Sequence, residues 1–272
     1  VKKVVSITIY TGLVIVVFAT INIVSNTLKV NSIGSDEIDF SDIESITKID
    51  VPPYVKRYDW TKNGGMDITE VLIPVKTVKQ LPELPHGCEI TSLTSILNTY
   101  GYNVSKTEMA DKYLPKQPFN YKNSKRYGAN PYKAYAGNPR SEKGGFFSYA
   151  PPIVEAANKY LDAINADAKP VDISGSTREE IIEQLDKGIP VAVWVTLDLG
   201  KPKLKYSWYI HESGEKFIAP VNLHTVVLNG YDEKNVHAMN PLKGQVTYNA
   251  NAFFKSYEEL GSHAMMVVNN GN

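Results

Sequence analysis

The sequence predicts an α+β domain, on two observations. Apolar residues recur at helical spacing early in the body of the chain, and compact apolar runs of strand length fill its later half. No internal repeat is visible, so the layout reads as helices packed on an antiparallel sheet.

The elements follow in order. Lys2 and Lys3 precede a run from Val4 to Val24 without a charged residue. About 20 such residues span a hydrocarbon core as a helix, and the paired lysines favour a cytoplasmic N-terminus with the bulk of the chain outside. Residues 1–28 are therefore expected to be a membrane anchor, with a cleaved signal and a buried helix as alternatives. Residues 29–70 read as a spacer. It carries an acidic cluster (Asp36, Glu37, Asp39, Asp42, Glu44), extended Pro52-Pro53 and the turn Asn63-Gly64-Gly65; Tyr54, Tyr58 and Trp60 could lie on the body.

Residues 71–272 are expected to form the compact domain. VLIPV (71–75) reads as a short strand, and the proline-rich bend Leu81-Pro82-Glu83-Leu84-Pro85 stops regular structure before Gly87-Cys88. From Cys88, apolar Ile90, Leu93, Leu97 and Tyr100 predict an amphipathic helix ended by Gly101. Ser105 with Glu108 predicts a capping box, and Val104 with Met109 a hydrophobic staple. Residues 115–147 are basic, turn-rich and interleaved with tyrosines. A solvated loop, a polyanion-binding surface and a lid or cleft wall are all open to them. Pro151-Pro152 can open a helix, and Ser176 with Glu179 predicts a second capping box before Ile181, Ile182 and Leu185. Strands are predicted at 190–197 (PVAVWVTL), 223–231 (LHTVVLNGY), VHAMN and HAMMVV, with a short helix at 251–260. Lys205 to Glu215 reads as polar and solvent-exposed.

Composition excludes several functions. Lys+Arg and Asp+Glu each number 29, so no polycation is available for phosphate neutralisation, and nucleic acid is not an expected partner. One cysteine excludes an intrachain disulfide and any multi-thiolate metal site. No HExxH or comparable ligand set occurs, so neither a metal nor a cofactor is expected. The lone Cys88 is either a small buried hydrophobe or a nucleophile. Its place at a helix start suits a nucleophile, because unpaired helix amides stabilise a thiolate. Only together with the proline-rich bend, Gly87 and the later His-to-Asn hairpin does it favour that reading. Gly87 would leave room beside the sulfur for a substrate carbonyl.

A thiol nucleophile needs a base. His224, near the start of a buried strand, is the best candidate. Asn240 ends the returning strand of the same hairpin, which can bring its amide to the His224 ring; Asp232, in the turn at the far end, is the rival. Gln80 could offer its amide to the developing oxyanion beside the Cys88 N–H. Among the other histidines, His86 reads as surface or cleft wall, His211 as exposed, His237 as outward or packed on the second face, and His263 as core-edge.

The string QLPELPHGCEITSLTSILNTYGYNVSKTEMA (80–110) resembles the active-site signature of the bacterial C39-like peptidases, within the papain-like superfamily. GNP (137–139), GGFFSYAPPIVEAA (144–157) and LHTVVLNGYDEKNVHAMNP (223–241) agree with it, so the resemblance covers about residues 71–268. It implies a papain-like fold with Cys88 as nucleophile, His224 as base, Asn240 as orienter and Gln80 as oxyanion donor. Many relatives have Asp-Pro where this chain has Asn240-Pro241. The expectation is a membrane-anchored, extracytoplasmic cysteine peptidase or related thiol hydrolase acting on peptides or proteins at the cell surface. A catalytically silent module binding peptides or cell-wall fragments is the alternative.

Overall fold

The computed structural model describes residues 54–60 and 66–269. The expected anchor, residues 1–28, and most of the expected spacer lie outside the described residues. Among the described residues, no helix is long and apolar enough to cross a membrane.

The elements in chain order are β1 (Val55–Trp60), β2 (Met66–Leu72), α1 (Cys88–Thr99) and α2 (Lys106–Glu108), which runs into a π-helical turn at Met109–Tyr113. Next come β3 (Lys116–Gln117), β4 (Asn120–Lys122), β5 (Lys125–Gly128), β6 (Tyr135–Ala136), α3 (Ala150–Ala163), β7 (Ala168–Asp172) and α4 (Arg178–Asp186). The chain ends with β8 (Val191–Thr196), β9 (Leu204–Ile210), β10 (Lys216–Pro220), β11 (Leu223–Tyr231), β12 (Asn235–Asn240), β13 (Gly244–Asn249), α5 (Ala250–Glu259) and β14 (Ala264–Asn269). An eight-stranded sheet in the order β1-β2-β11-β8-β14-β7, with β12 and β13 branching from β11, forms the frame. β10-β9-β5-β4 make a smaller sheet.

The frame is antiparallel throughout, as the α+β reading requires. β11 pairs with β8 over Leu223–Leu228 and with β2 at Gly230 and Tyr231. Part of the stretch read as spacer thus belongs to the sheet, since β1 and most of β2 precede residue 71. The VLIPV strand ends at Leu72, because Pro74 has no N–H to continue the ladder. Ile73 and Val75 are nevertheless buried.

The helix starting at Cys88 differs from the amphipathic expectation in one respect. Every residue from Cys88 to Leu97 is buried, so α1 is enclosed on all sides. Its polar residues are accommodated locally: Thr94 Oγ1 donates to Ile90 O at 2.7 Å, Ser92 Oγ to Thr225 O at 3.2 Å, and Ser95 to the Lys76 carbonyl. The Ser92 bond ties α1 to β11, the strand that carries His224. Gly101, at φ +90°, follows the helix end. Ser105 caps α2 by accepting from Glu108 N, and the staple residues Val104 and Met109 are both buried.

Elsewhere the expectations need adjustment. The second capping box uses Thr177 and Glu180, one residue beyond the predicted pair: Glu180 N donates to Thr177 Oγ1 while Thr177 N donates to Glu180 Oε2. The polar 205–215 stretch contains most of β9, whose Trp208 is 1% exposed and donates from Nε1 to Ala129 O. Its alternation of Tyr206 and Trp208 with polar residues is a strand signal hidden by the surrounding lysines. The basic loop also has work for its charges. The Arg126 guanidinium lies over the rings of Phe119, Tyr121 and Tyr206, and Arg140 pairs with Asp111 at 2.6 Å.

Two glycines at positive φ separate local strain from crowding. A Cβ on Gly137 (φ +93°) would overlap the Gly144 carbonyl oxygen, whereas Gly175 (φ +91°) has nothing within 4 Å. Gly175→Ala should therefore cost only the backbone term, about 1–2 kcal/mol. Gly137→Ala should add a steric conflict and cost more, at least about 3 kcal/mol in total. Urea denaturation of the two variants compares them, and equal losses would show that the 137–145 loop yields freely.

Candidate active site

The site is assembled from two ends of the chain by backbone contacts. Gln80 N donates to Pro241 O at 2.9 Å, fixing the bend before Cys88 against the residue after Asn240. The same bend folds on itself, with Leu84 N donating to Gln80 O and Gly87 N to Leu84 O. A Cβ on Gly87 would lie 2.7 Å from Leu84 Cβ. The glycine is thus demanded by the bend's own packing; the expected role, space beside the sulfur for a substrate, is not what the contact shows.

Cys88 is the first residue of α1, and its N–H has no partner within the helix. Its side chain is 8% exposed. Cys88, His224 and Gln80 line one cleft of about 290 Å³. Phe146 and Phe147, at the end of the basic loop, supply one wall; Leu197, Val221 and Leu242 supply others. Among the described residues, none lining this cleft is an acid, a lysine or an arginine. His86 lines it too, held by Nε2 against Glu142 O at 3.0 Å and by Tyr135 Oη donating to its carbonyl at 2.6 Å.

His224 sits on β11 opposite Val195 of β8, and is 3% exposed. Its Nε2 lies 3.0 Å from Asn240 Oδ1. The identities of both atoms follow from the neighbours. Oδ1 also receives the backbone N–H groups of Leu242 at 2.8 Å and Lys243 at 3.2 Å, which can only donate. The amide end facing them is therefore oxygen, and it can only accept from His224. Nε2 carries the proton, leaving Nδ1 of the neutral ring with a free lone pair. Asn240 Nδ2 donates to Tyr248 Oη at 2.9 Å, which closes the amide's remaining freedom. Asp232 plays no part here: it accepts from Lys234 N and Asn235 N in the turn and faces His237 at 3.5 Å.

Burial sets the protonation states. It pushes the Cys88 thiol well up, assisted by the Glu89 carboxylate beside it, and lowers His224 to about 4 despite the Asn240 bond. Burial thus disfavours the charged form of each group.

Gln80 is buried in the cleft wall, but its Nε2 donates to Pro85 O at 2.9 Å and Leu84 O at 3.3 Å. Its Oε1 is buried without a hydrogen-bond partner. In this state the amide supports the bend; offering an N–H to a ligand requires release of the longer bond. Sequence reasoning passed over Glu89. Its carboxylate is fully buried, accepts from the Cys88 thiol at 3.3 Å and from Ser148 N at 3.0 Å, and burial raises it to about 7. That Glu89 is the single charged residue in the stretch 88–105 was the available signal.

The other histidines are accounted for structurally. His211 Nε2 donates to Pro118 O, His237 meets Thr247 Oγ1, and His263 packs 4.0 Å from the Tyr149 ring. Among the described residues, no group of three or more His, Cys, Asp or Glu side chains could hold a metal ion.

A helix-start cysteine sharing a cleft with a strand-borne histidine held by a side-chain amide, on an α+β body, defines the papain-like class. Residues 72–265 match the Peptidase_C39 like family, and the chain belongs to that family. It is 28% identical over 188 residues to the uncharacterized protein YvpB of Bacillus subtilis (strain 168), covering 68% of this chain and 70% of that protein. It also resembles the crystal structure of a protein from Bacillus anthracis described provisionally as a C39-like peptidase. That match has 28% identity and a TM-score of 0.64, over 74% of this chain and 98% of the other.

The His224–Asn240 contact gives a direct test. Asn240→Asp keeps an acceptor for Nε2 and adds a negative charge, which stabilises imidazolium. The His224 pKa should then rise from about 4 by at least about one unit, read from the ring-proton NMR titration. An unmoved titration would mean that the ring is not held at Asn240.

Proposed function

We propose that the protein is a thiol hydrolase that cleaves peptide or amide bonds, with Cys88 as nucleophile, His224 as base and Asn240 as the residue that orients the base. The observation carrying this is the fixed tautomer of His224: Asn240 Oδ1 holds the proton on Nε2, so Nδ1 is the basic atom left for the cleft that Cys88 also lines. With the charged form of each group disfavoured by burial, the thiol proton moves to Nδ1 as the sulfur adds to the carbonyl carbon. The C–N bond then breaks, and His224 returns the proton to the leaving amine. Water, deprotonated by the same ring, releases the acyl group from the thioester and restores the thiol.

The negative charge that grows on the carbonyl oxygen meets the Cys88 N–H at the start of α1. Gln80 joins it once its bond to Leu84 O is given up. Losing such a donor costs about 3 kcal/mol of transition-state stabilisation. The uncharged, largely apolar cleft suits an uncharged stretch of peptide and leaves charge stabilisation to these few donors.

Extracytoplasmic placement through an anchor at residues 1–28 completes the proposal, motivated by the uncharged run Val4–Val24 behind two lysines. The substrates would then be peptides or proteins at the cell surface. A silent binding module is the second reading. It is favoured by one observation, the engagement of the Gln80 amide and the Cys88 thiol with groups other than the catalytic partners.

Digestion of a peptide library separates the two. Wild type should yield products that Cys88→Ala and His224→Ala reduce by at least about a hundredfold, in keeping with loss of nucleophilic or general-base catalysis. Products formed equally by Cys88→Ala would remove this thiol from the chemistry, and saturable peptide binding without products would establish the module. Placement is checked by fractionating cells that express the chain with and without residues 4–24. Deletion should move the domain out of the membrane fraction, and an unchanged distribution would rule out the anchor.

A further inference from the structure

The side chain next to the nucleophile is the least expected feature of the site. Glu89 is fully buried, one of its carboxyl oxygens is occupied by the Ser148 N–H, and the other lies 3.3 Å from the Cys88 sulfur. Ser148 is itself held, since its carbonyl accepts from Trp194 Nε1 at 2.9 Å on the central strand β8. The carboxyl therefore cannot swing away from the sulfur without breaking a buried contact. The groups facing it are the Cys88 thiol on its own helix, the Ser148 N–H, and, from β6, the hydroxyl of Tyr135, which burial keeps protonated. No lysine, arginine or histidine acts on it among the described residues.

A carboxylate in that position works against the chemistry proposed above. When the thiol proton leaves for His224, a full negative charge appears on a sulfur already in contact with Oε2, and two like charges in an enclosed site oppose each other. A carboxylic acid in the same position does the reverse: the hydrogen bond turns around, and Oε2–H donates to the thiolate. We propose that Glu89 serves as a neutral acid whose proton is required for Cys88 to react, donating to the sulfur as the thiolate forms. The proton count closes: the sulfur's proton goes to His224 Nδ1, and the Glu89 proton stays on Oε2 throughout. The inference rests on the thiol-hydrolase reading and adds to it a second group touching the reacting atom. It also supplies a control: Glu89, raised to about 7, is an acid below that pH and a carboxylate above it, so the nucleophile is suppressed as pH rises through neutrality.

The test is the rate of Cys88 alkylation by iodoacetamide in the full chain, measured from pH 5 to pH 9 in wild type, Glu89→Gln, Glu89→Ala and His224→Ala. In wild type the rate should fall about tenfold between pH 6 and pH 8, following the protonated fraction of Glu89. Glu89→Gln keeps an acceptor for Ser148 N and a permanent donor for the sulfur; its rate should change less than about twofold over that window. Glu89→Ala has no donor and should be slow at every pH, separating donation from mere removal of charge. A wild-type rate that instead rises through pH 7, with the rise lost in Glu89→Gln, would make Glu89 a base and overturn the proposal; superimposable wild-type and Glu89→Gln profiles would overturn it as well. Failure of the underlying thiol-hydrolase reading looks different, as an alkylation rate unchanged in His224→Ala. Should Glu89→Gln not fold, infrared difference spectra of wild type decide. A protonated-carboxyl stretch present at pH 6 and shifted by alkylation of Cys88 supports the neutral acid, and a stretch indifferent to alkylation overturns it.

Discussion

One amide oxygen carries the order of the site. Asn240 Oδ1 receives three N–H groups, from His224, Leu242 and Lys243. The two backbone donors prevent the amide from turning over, and the amide in turn prevents the imidazole from choosing its tautomer. The hairpin of β11 and β12 brings His224 and Asn240 together at its open end, and the Gln80–Pro241 bond then registers the Cys88 bend against the same corner. Few of these links are strong singly, since a neutral hydrogen bond contributes about 1 kcal/mol net. They are decisive because each fixes the choice left open by the one before.

Much of this was legible in the sequence because it depends on short-range rules. The helix opening at Cys88, its end before Gly101, the paired prolines entering α3 and the apolar runs of β8 and β11 are all set by spacing and by the peculiarities of Gly and Pro. The His224–Asn240 pairing was legible for a similar reason: a hairpin with a tight turn forces residues at its open end together. The resemblance of residues 80–110 to C39-like peptidases drew attention to Cys88, which lines the same cleft as His224.

What escaped detection depends on long-range packing. β9 lies among lysines, and the packing of Phe119, Phe146, Phe147 and Phe217 around Trp208 makes it a core residue. Gly87 looked like a concession to substrate, yet its missing side chain makes room for Leu84, a contact created by the bend. Gln80 has the residue type and place of an oxyanion donor, but its amide is spent on Pro85 and Leu84 in the resting structure. Glu89 was passed over because an acid in the first turn of a helix is ordinarily a favourable partner of the helix dipole. Only the enclosure of α1 on every side turns it into a buried group pressed against sulfur.

The way β11 is shared has a consequence for how the domain is presented. Its first residues include His224, whereas Gly230 and Tyr231, at its other end, receive β2, with Val55 of β1 alongside Leu72. At a rise of about 3.3 Å per residue, the strand sets roughly 20 Å between His224 and the level at which the chain joins the body. The first described strand and the cleft thus lie toward opposite ends of β11. A force applied at Tyr54 would therefore load the sheet at the end remote from the cleft that His224 lines.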